Sequence, residues 1–365
     1  MIIQIEPWID AGELAELQKV VKSTFVVEHE LAAEFEGMTR EMTGAKHAIA
    51  MCNGTMALYV CLKAMGIGEG DEVIVPNITF VATANAVILA GAKPVFCEVT
   101  EDTFCIDMGF ADNLITRKTK AIIPVHLYGQ SADLDLIMPF AKKYRLAVIE
   151  DAAQGVGVKF NNKHVGTFGD MGILSYYGNK TITTGEGGVV LTNNDELAKL
   201  AYRLKNHGRD EKGTFIHEHI GFNFSFTEMQ AAVGVSQMKK LPKIIEKKNH
   251  INEVYLNELS DISGIDAVSI DERCEPVFWF TSFLADDADK LAAYLKEKGI
   301  QTRRFFYPLH MQPCYQEKFS SNKNFKISED IYRRGISLPS SYCLTDKEQK
   351  CVIEAVKGFY YENRD

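Results

Sequence analysis

What most constrains this chain is the alternation in its first half. Short apolar, β-branched runs recur at 48–51, 72–75, 94–98, 121–124 and 146–150, each bounded by turn residues. Between them lie stretches of helical spacing, such as 55–65 and 132–144. Strands that are apolar along their whole length are buried on both faces. Strands separated by helices pair in parallel, because a crossover is what returns the chain to the same end of the sheet. The pattern therefore predicts an α/β fold with a mostly parallel sheet covered on both sides. Two further runs, at 171–176 and 188–192, bring the expected sheet to seven strands.

The second half reads differently. A long helical stretch, 226–259, carries Lys239, Lys240, Lys243, Lys247 and Lys248, which read as one solvated helix face. Beyond it, 276–284 and 301–306 are strand-like, and 286–298, 328–334 and 346–360 are helical. A chain of 365 residues outgrows a single core. The expected division is a large domain over 1–240, with the N-terminal segment, and a smaller α+β domain over 241–365. The boundary falls inside the long helix.

Composition removes several classes of function. The net charge is −9 and the basic residues are dispersed, so a phosphate-neutralising patch for nucleic acid is not expected. No apolar stretch approaches the roughly 20 residues a membrane span needs. The first residues lack a basic segment followed by an apolar run. A cytoplasmic protein is expected. The eight cysteines form no CxxC pair and read as reduced thiols, and no His/Cys cluster has metal-ligand spacing, so no metal is expected.

Open α/β sheets bind ligands at the carboxyl ends of their strands. Four such ends carry suggestive groups. Cys52-Asn53-Gly54-Thr55 joins a strand to a helix and can present free N–H groups to an anion; it can equally be a plain helix cap. Glu150-Asp151, followed by Gln154, closes a buried strand, where an unpaired acid is costly. Ser175 and Lys180 flank a glycine-rich turn that lacks the GxxxxGK[ST] pattern, so a P-loop is excluded. A desolvated lysine there becomes a nucleophile toward aldehydes. Phe80 can be a core aromatic or a platform for a flat ring. Together, a lysine for an aldehyde, an acid for a ring nitrogen, an anion cradle and an aromatic face describe a site for pyridoxal 5′-phosphate.

These residues sit in motifs that resemble one family. NGTMAL (53–58), GDEVIVPNITFVATANAV (70–87), PVHLYGQ (124–130), VIEDAAQGVG (148–157), SYYGNKTITTGEGG (175–188), GFNFSFTEMQAAVG (221–234) and FYPLHMQPCY (306–315) are similar to those of the DegT/DnrJ/EryC1/StrS sugar aminotransferases. The SYYGNKTITTGEGG stretch is nearest the perosamine-type C4-aminotransferases. The resemblance spans nearly the whole chain and implies the fold-type I architecture of pyridoxal-phosphate transferases. It also implies roles. Lys180 would form the Schiff base and Asp151 would pair with the pyridine nitrogen. Gln154 would meet the ring hydroxyl, and Gly54, Thr55 and Ser175 would bind the phosphate. Phe80 would stack on the ring. Asn223 would reach the phosphate of a neighbouring subunit, making an obligate homodimer with shared sites. L-glutamate would be the donor and a nucleotide-linked keto sugar the acceptor, in surface polysaccharide biosynthesis. Relatives that stop at dehydration carry His where Lys180 stands.

On the substrate side the chain departs from the family. His29, with Glu28 and Glu30 beside it, stands where a glycine is usual, and Ser225 replaces a basic residue. Acids are poor neighbours for a diphosphate. A small phosphorylated ketone of the triose phosphate type is therefore the alternative acceptor. Arg303 and His310, which the motif supports, and Arg304 are candidates for a substrate anion. His126 and His207 receive no role. A non-catalytic, regulatory pyridoxal-phosphate protein is the rival of another class.

Overall fold

The computed structural model describes residues 1–209, 215–217, 219–319 and 323–362. The large sheet holds seven strands: β1 (His47–Met51), β2 (Glu72–Pro76), β3 (Lys93–Cys97), β4 (Thr119–Ile122), β5 (Ala147–Asp151), β6 (Met171–Ser175) and β7 (Gly188–Thr192), in the order β1-β7-β6-β5-β4-β2-β3. β2 runs parallel to β3 and β4, β4 to β5, and β5 to β6. β7 is antiparallel to both its neighbours, β1 and β6. The mostly parallel α/β sheet expected above is thus present, and β6 and β7 are buried at every position.

Strand alternation sorts the core into two layers. Ile49, Met51, Val73, Val75, Ile149 and Ile173 pack on one face with the helices Gly54–Ala64 and Ala82–Leu89. Ala48, Ala50, Ile74, Val148 and Leu174 face the other way, toward Phe35 and the first half of the helix Glu228–Leu259.

A second, four-stranded antiparallel sheet follows: β8 (Ile265–Ala267), β9 (Thr281–Ala285), β10 (Arg303–Arg304) and β11 (Gly335–Leu338), in the order β8-β9-β11-β10. The helices Ala288–Glu297 and Asp346–Glu362, and the far half of the long helix through Ile251, Tyr255 and Leu259, close its core. The first residues of the chain join this unit. Ile2 bridges to Ile300, and the Ser340 amide donates to the Gln4 carbonyl at 2.9 Å.

Three expectations need correction. Residues 276–280 are not strand: the Val277 amide donates to Gly129 O at 2.9 Å, which pulls the segment off the sheet toward the large unit. Of 301–306, Arg303 and Arg304 alone pair. The lysines of the long helix do not share one solvated face. Lys240 turns in to Glu13 (2.7 Å) and Asp10 (3.1 Å), and Lys248 is buried. Among the described residues no helix is long and apolar enough to cross a membrane, and no His/Cys/Asp/Glu group could hold a metal ion.

Candidate active site

The turn after β1 and the carboxyl ends of β2, β5 and β6 converge on a cavity of about 420 Å³. Its floor begins at the helix Gly54–Ala64. Asn53 caps this helix by accepting from the Met56 amide at 2.9 Å. The first intrahelical donor is Ala57, to Asn53 O at 3.1 Å. The Gly54 and Thr55 amides come earlier, at the positive end of the helix dipole, and both residues line the cavity. A Cβ on Gly54 would lie 3.2 Å from Ser175 Cβ, so the hydroxyl of Ser175 stands beside these amides. Gly188 has a different reason to be glycine. A Cβ there would lie 2.5 Å from the Asn53 carbonyl, so the strand start can press against the turn only without a side chain.

Strand alternation sends the two acids of β5 to opposite sides. Glu150 accepts from the amides of Gly166 (2.7 Å), Phe168 (2.6 Å) and Gly169 (2.7 Å) and from His126 Nε2 at 3.0 Å. Burial pushes its carboxyl up, but the His126 contact and the amides outweigh it and hold it below the usual range. His126, left without a role above, thereby acquires a structural one. Its Nδ1 accepts from the Ala132 amide at 3.2 Å. Asp151 faces the cavity. It accepts from Thr83 Oγ1 at 2.7 Å and the Ala153 amide at 3.1 Å. Among the described residues it has no cationic hydrogen-bond partner, and burial raises its carboxyl above the usual range.

Lys180 lies in the turn after β6, its amide donating to Tyr177 O at 2.9 Å. The residue is partly exposed, and its amine sits 3.6 Å from the centroid of the Trp279 ring. Burial lowers this amine to about 7, with Asp151 opposing the fall and Arg303 adding to it. Gln154 accepts from the Tyr128 amide at 2.8 Å, which leaves its carboxamide NH₂ as the end able to donate into the cavity. Tyr128 holds a left-handed φ of 53° and accepts from the Phe306 amide at 3.1 Å. Phe306 and the half-exposed Phe80, with ring centroids 6.0 Å apart, complete an aromatic wall with Trp279.

Gly54, Thr55, Phe80, Asp151, Gln154, Ser175, Lys180 and Arg303 thus line one cavity. His29, Asn223, Ser225 and His310 do not. Asn223 is exposed, and Ser225 bridges to Met51. His29 is exposed, stacks on Phe25 and donates its amide to Glu228 at 2.7 Å. Glu28, next to it, is drawn to the buried Lys205 at 3.0 Å. His310 is held by Asn77 at 2.8 Å and lies 3.3 Å from Glu329. Arg304 also lines the cavity, but its guanidinium donates to the carbonyls of Tyr332, Arg333 and Gly335 and pairs with Asp289.

Sequence reasoning missed Thr83, Trp279 and Lys248. Trp279 had no visible signal, because its place depends on a segment leaving the sheet. Lys248 had one: it stands in the stripe Leu241, Ile244, Ile251, Tyr255, at the 3.6-residue spacing of buried positions.

The donor set fits pyridoxal phosphate. It has helix-start amides and a hydroxyl for a phosphate, an acid with no cationic hydrogen-bond partner among the described residues, and a neutralisable amine against a flat wall. Comparison with known proteins agrees. The family model described as DegT/DnrJ/EryC1/StrS aminotransferase family matches residues 7–357. The chain is similar to the GDP-perosamine synthase of Escherichia coli O157:H7 (38% identical, over 90% of this chain and 89% of that one). It is likewise similar to the GDP-perosamine synthase of Vibrio cholerae (36%, over 99% of each). A DegT DnrJ EryC1 StrS aminotransferase from Brucella abortus superposes with a TM-score of 0.91, at 32% identity over 96% of this chain and 95% of that one. With its motifs in one cavity and a match along nearly its whole length, the chain belongs to the DegT/DnrJ/EryC1/StrS aminotransferase family and is a pyridoxal-phosphate-dependent enzyme.

Proposed function

We propose that the enzyme moves the amino group of L-glutamate to the keto carbon of a nucleotide-linked 4-keto-6-deoxyhexose, for a surface polysaccharide. It works in the cytoplasm as a homodimer with shared sites. The observation that carries the reading is the meeting of Lys180 and Asp151 in one cavity with the Gly54–Thr55 helix start. Bound pyridoxal phosphate supplies a carbonyl that condenses with amines and a ring that takes up the electrons of a broken Cα–H bond.

Each residue then has a task. Asp151 keeps a proton on the ring nitrogen. Gln154 donates to the ring hydroxyl. Gly54, Thr55 and Ser175 hold the phosphate, and Phe80 covers one ring face. Lys180 binds the cofactor and, once released, carries the proton between the substrate Cα and the cofactor carbon; an amine lowered to about 7 can accept and return it near neutrality. Asn223 serves the neighbouring subunit's phosphate, and its exposure outside its own cavity suits that task. His29 and Ser225 stand on the substrate side of the shared site.

For the acceptor, the relatives named GDP-perosamine synthase favour a nucleotide sugar. Arg303 opens on an adjoining depression of about 490 Å³ with Lys296, Gln301 and Gln4, a set of donors for distal phosphates. His310, bonded to Asn77 just past β2, lines neither the cavity nor this depression. A small phosphorylated ketone is the second reading, favoured by Glu30 beside His29 and by the neutral Ser225. The test is spectral. Enzyme loaded with pyridoxal phosphate should absorb visible light, lose that absorption with excess glutamate, and regain it with the true acceptor. Return of colour with triose phosphates but no nucleotide-linked keto sugar selects the second reading. Colour that ignores glutamate means a regulatory protein.

A further inference from the structure

One buried amine has no part in the chemistry above. Lys248 is 3% exposed, and no carboxylate among the described residues offsets its burial. Its Nζ donates to Trp279 O at 3.1 Å and Ser340 O at 3.0 Å. An isolated buried amine is costly, so its two acceptors need a reason. Trp279 belongs to the segment that leaves the sheet, so no strand neighbour serves its carbonyl. The same residue is fixed at its other end, where the indole Nε1 donates to Asn179 O at 2.6 Å, one residue before Lys180. Its ring stacks on Phe280 at 3.9 Å and lies against the Lys180 amine. Ser340 ties the same amine to β9, its hydroxyl accepting from the Thr281 amide at 3.3 Å.

We propose that Lys248 is a positioning residue for amino transfer: through the Trp279 backbone it holds the indole face against the Lys180 amine. This rests on Lys180 being the reactive amine. An indole face favours the charged form of an amine above it, while burial favours the neutral form. The clamp therefore sets both where the amine points and the pH at which it becomes nucleophilic. With the clamp gone, the ring drifts, the amine loses its cation–π partner, and its working pH falls. Turnover drops more than glutamate affinity, because the proton-carrying position is lost and the donor's own contacts remain.

The test is a double-mutant cycle on the full-length enzyme: K248M, W279L, the pair together, and K248R, which keeps the donors. The first readout is the pH profile for uptake of pyridoxal phosphate by the cofactor-free protein. K248M and W279L should each lower its midpoint, by roughly half a pH unit. Each should cut kcat for glutamate about tenfold, with KM nearly unchanged, and the double variant should be no worse than either single. K248R should retain more than about a third of kcat. The second readout uses the chain's two tryptophans. In a W8F background Trp279 is the sole emitter, and K248M should make it more accessible to a collisional quencher. Losses that multiply in the double variant, or an unmoved pH midpoint in W279L, overturn the proposal. The W279L result decides even if K248M fails to fold. A K180A enzyme that still transfers sinks the underlying reading; an inactive K180A with multiplying losses sinks the clamp alone.

Discussion

Glu150 and Asp151 are chain neighbours with opposite fates, and their contrast yields the sharpest residue-level expectations. In the proposed reading Asp151 serves the cofactor ring, so D151N should cost about 100-fold or more in turnover and leave thermal stability nearly unchanged. Glu150 spends its charge on three amides and His126. E150Q should destabilise the fold by about 2–4 kcal/mol, read as a fall in denaturant midpoint, because buried donors lose their anion. The sign with pH follows. A carboxyl held below its ordinary value stabilises the fold above that value, and the benefit disappears as pH falls through the lowered one. Lys180 runs the other way in chemistry: its amine, lowered to about 7, should make pyridoxal-phosphate uptake rise through neutral pH instead of near 10. A midpoint near 10 would mean that the amine is solvated.

At the level of elements, close backbone approach decides what can change. A Cβ on Gly172 would lie 2.2 Å from Gly166 O, where β6 passes the turn that feeds Glu150 its amides. Gly172→Ala should therefore lower stability by about 2–4 kcal/mol and take the Glu150 contacts with it, whereas Gly178→Ala, 3.8 Å from its nearest neighbour, should be mild by the same thermal melt. The elements themselves were largely legible. β1 to β7 lie within a residue or two of the expected runs, because strands buried on both faces must be apolar throughout. The convergence of Gly54, Thr55, Asp151 and Ser175 on one cavity was legible as well, since each stands at a strand end or helix start, whereas Asn223, expected with them, lies outside it. Segments 276–280 and 301–306 were not. Their β-branched and aromatic content suits a strand, but long-range bonds such as Val277 to Gly129 outcompete the sheet. Lys248 was legible in the stripe of Leu241, Ile244, Ile251 and Tyr255 but was read as one more charge on a solvated face.

At the scale of the whole molecule, exposed apolar side chains gather on short stretches. Phe25, Val26, Val27, Ile216, Ile220 and Phe222 lie open, close in sequence to His29, Asn223 and Ser225. A second copy covering these side chains would take them out of water, which suits the homodimer proposed above. If the sites are shared as proposed, a K180A chain lacks the amine and an N223A chain lacks the donated amide, yet a mixed dimer contains one intact site. Random re-pairing of the two inactive proteins should restore up to about a quarter of wild-type activity. No recovery, with mixed dimers demonstrated, would place Asn223 and Lys180 in the service of one chain.

The bridge from Ile2 to Ile300 and the bond from Ser340 to Gln4 have a consequence for synthesis. During translation Ile2 and Gln4 are made some 300 residues before their partners. At ribosomal speeds of roughly 5–20 residues per second, that is a wait of about 15–60 s. The large sheet can close in that interval while Ile2 and Gln4 are still unpaired, so their docking against Ile300 and Ser340 is expected to follow the assembly of the cofactor cradle.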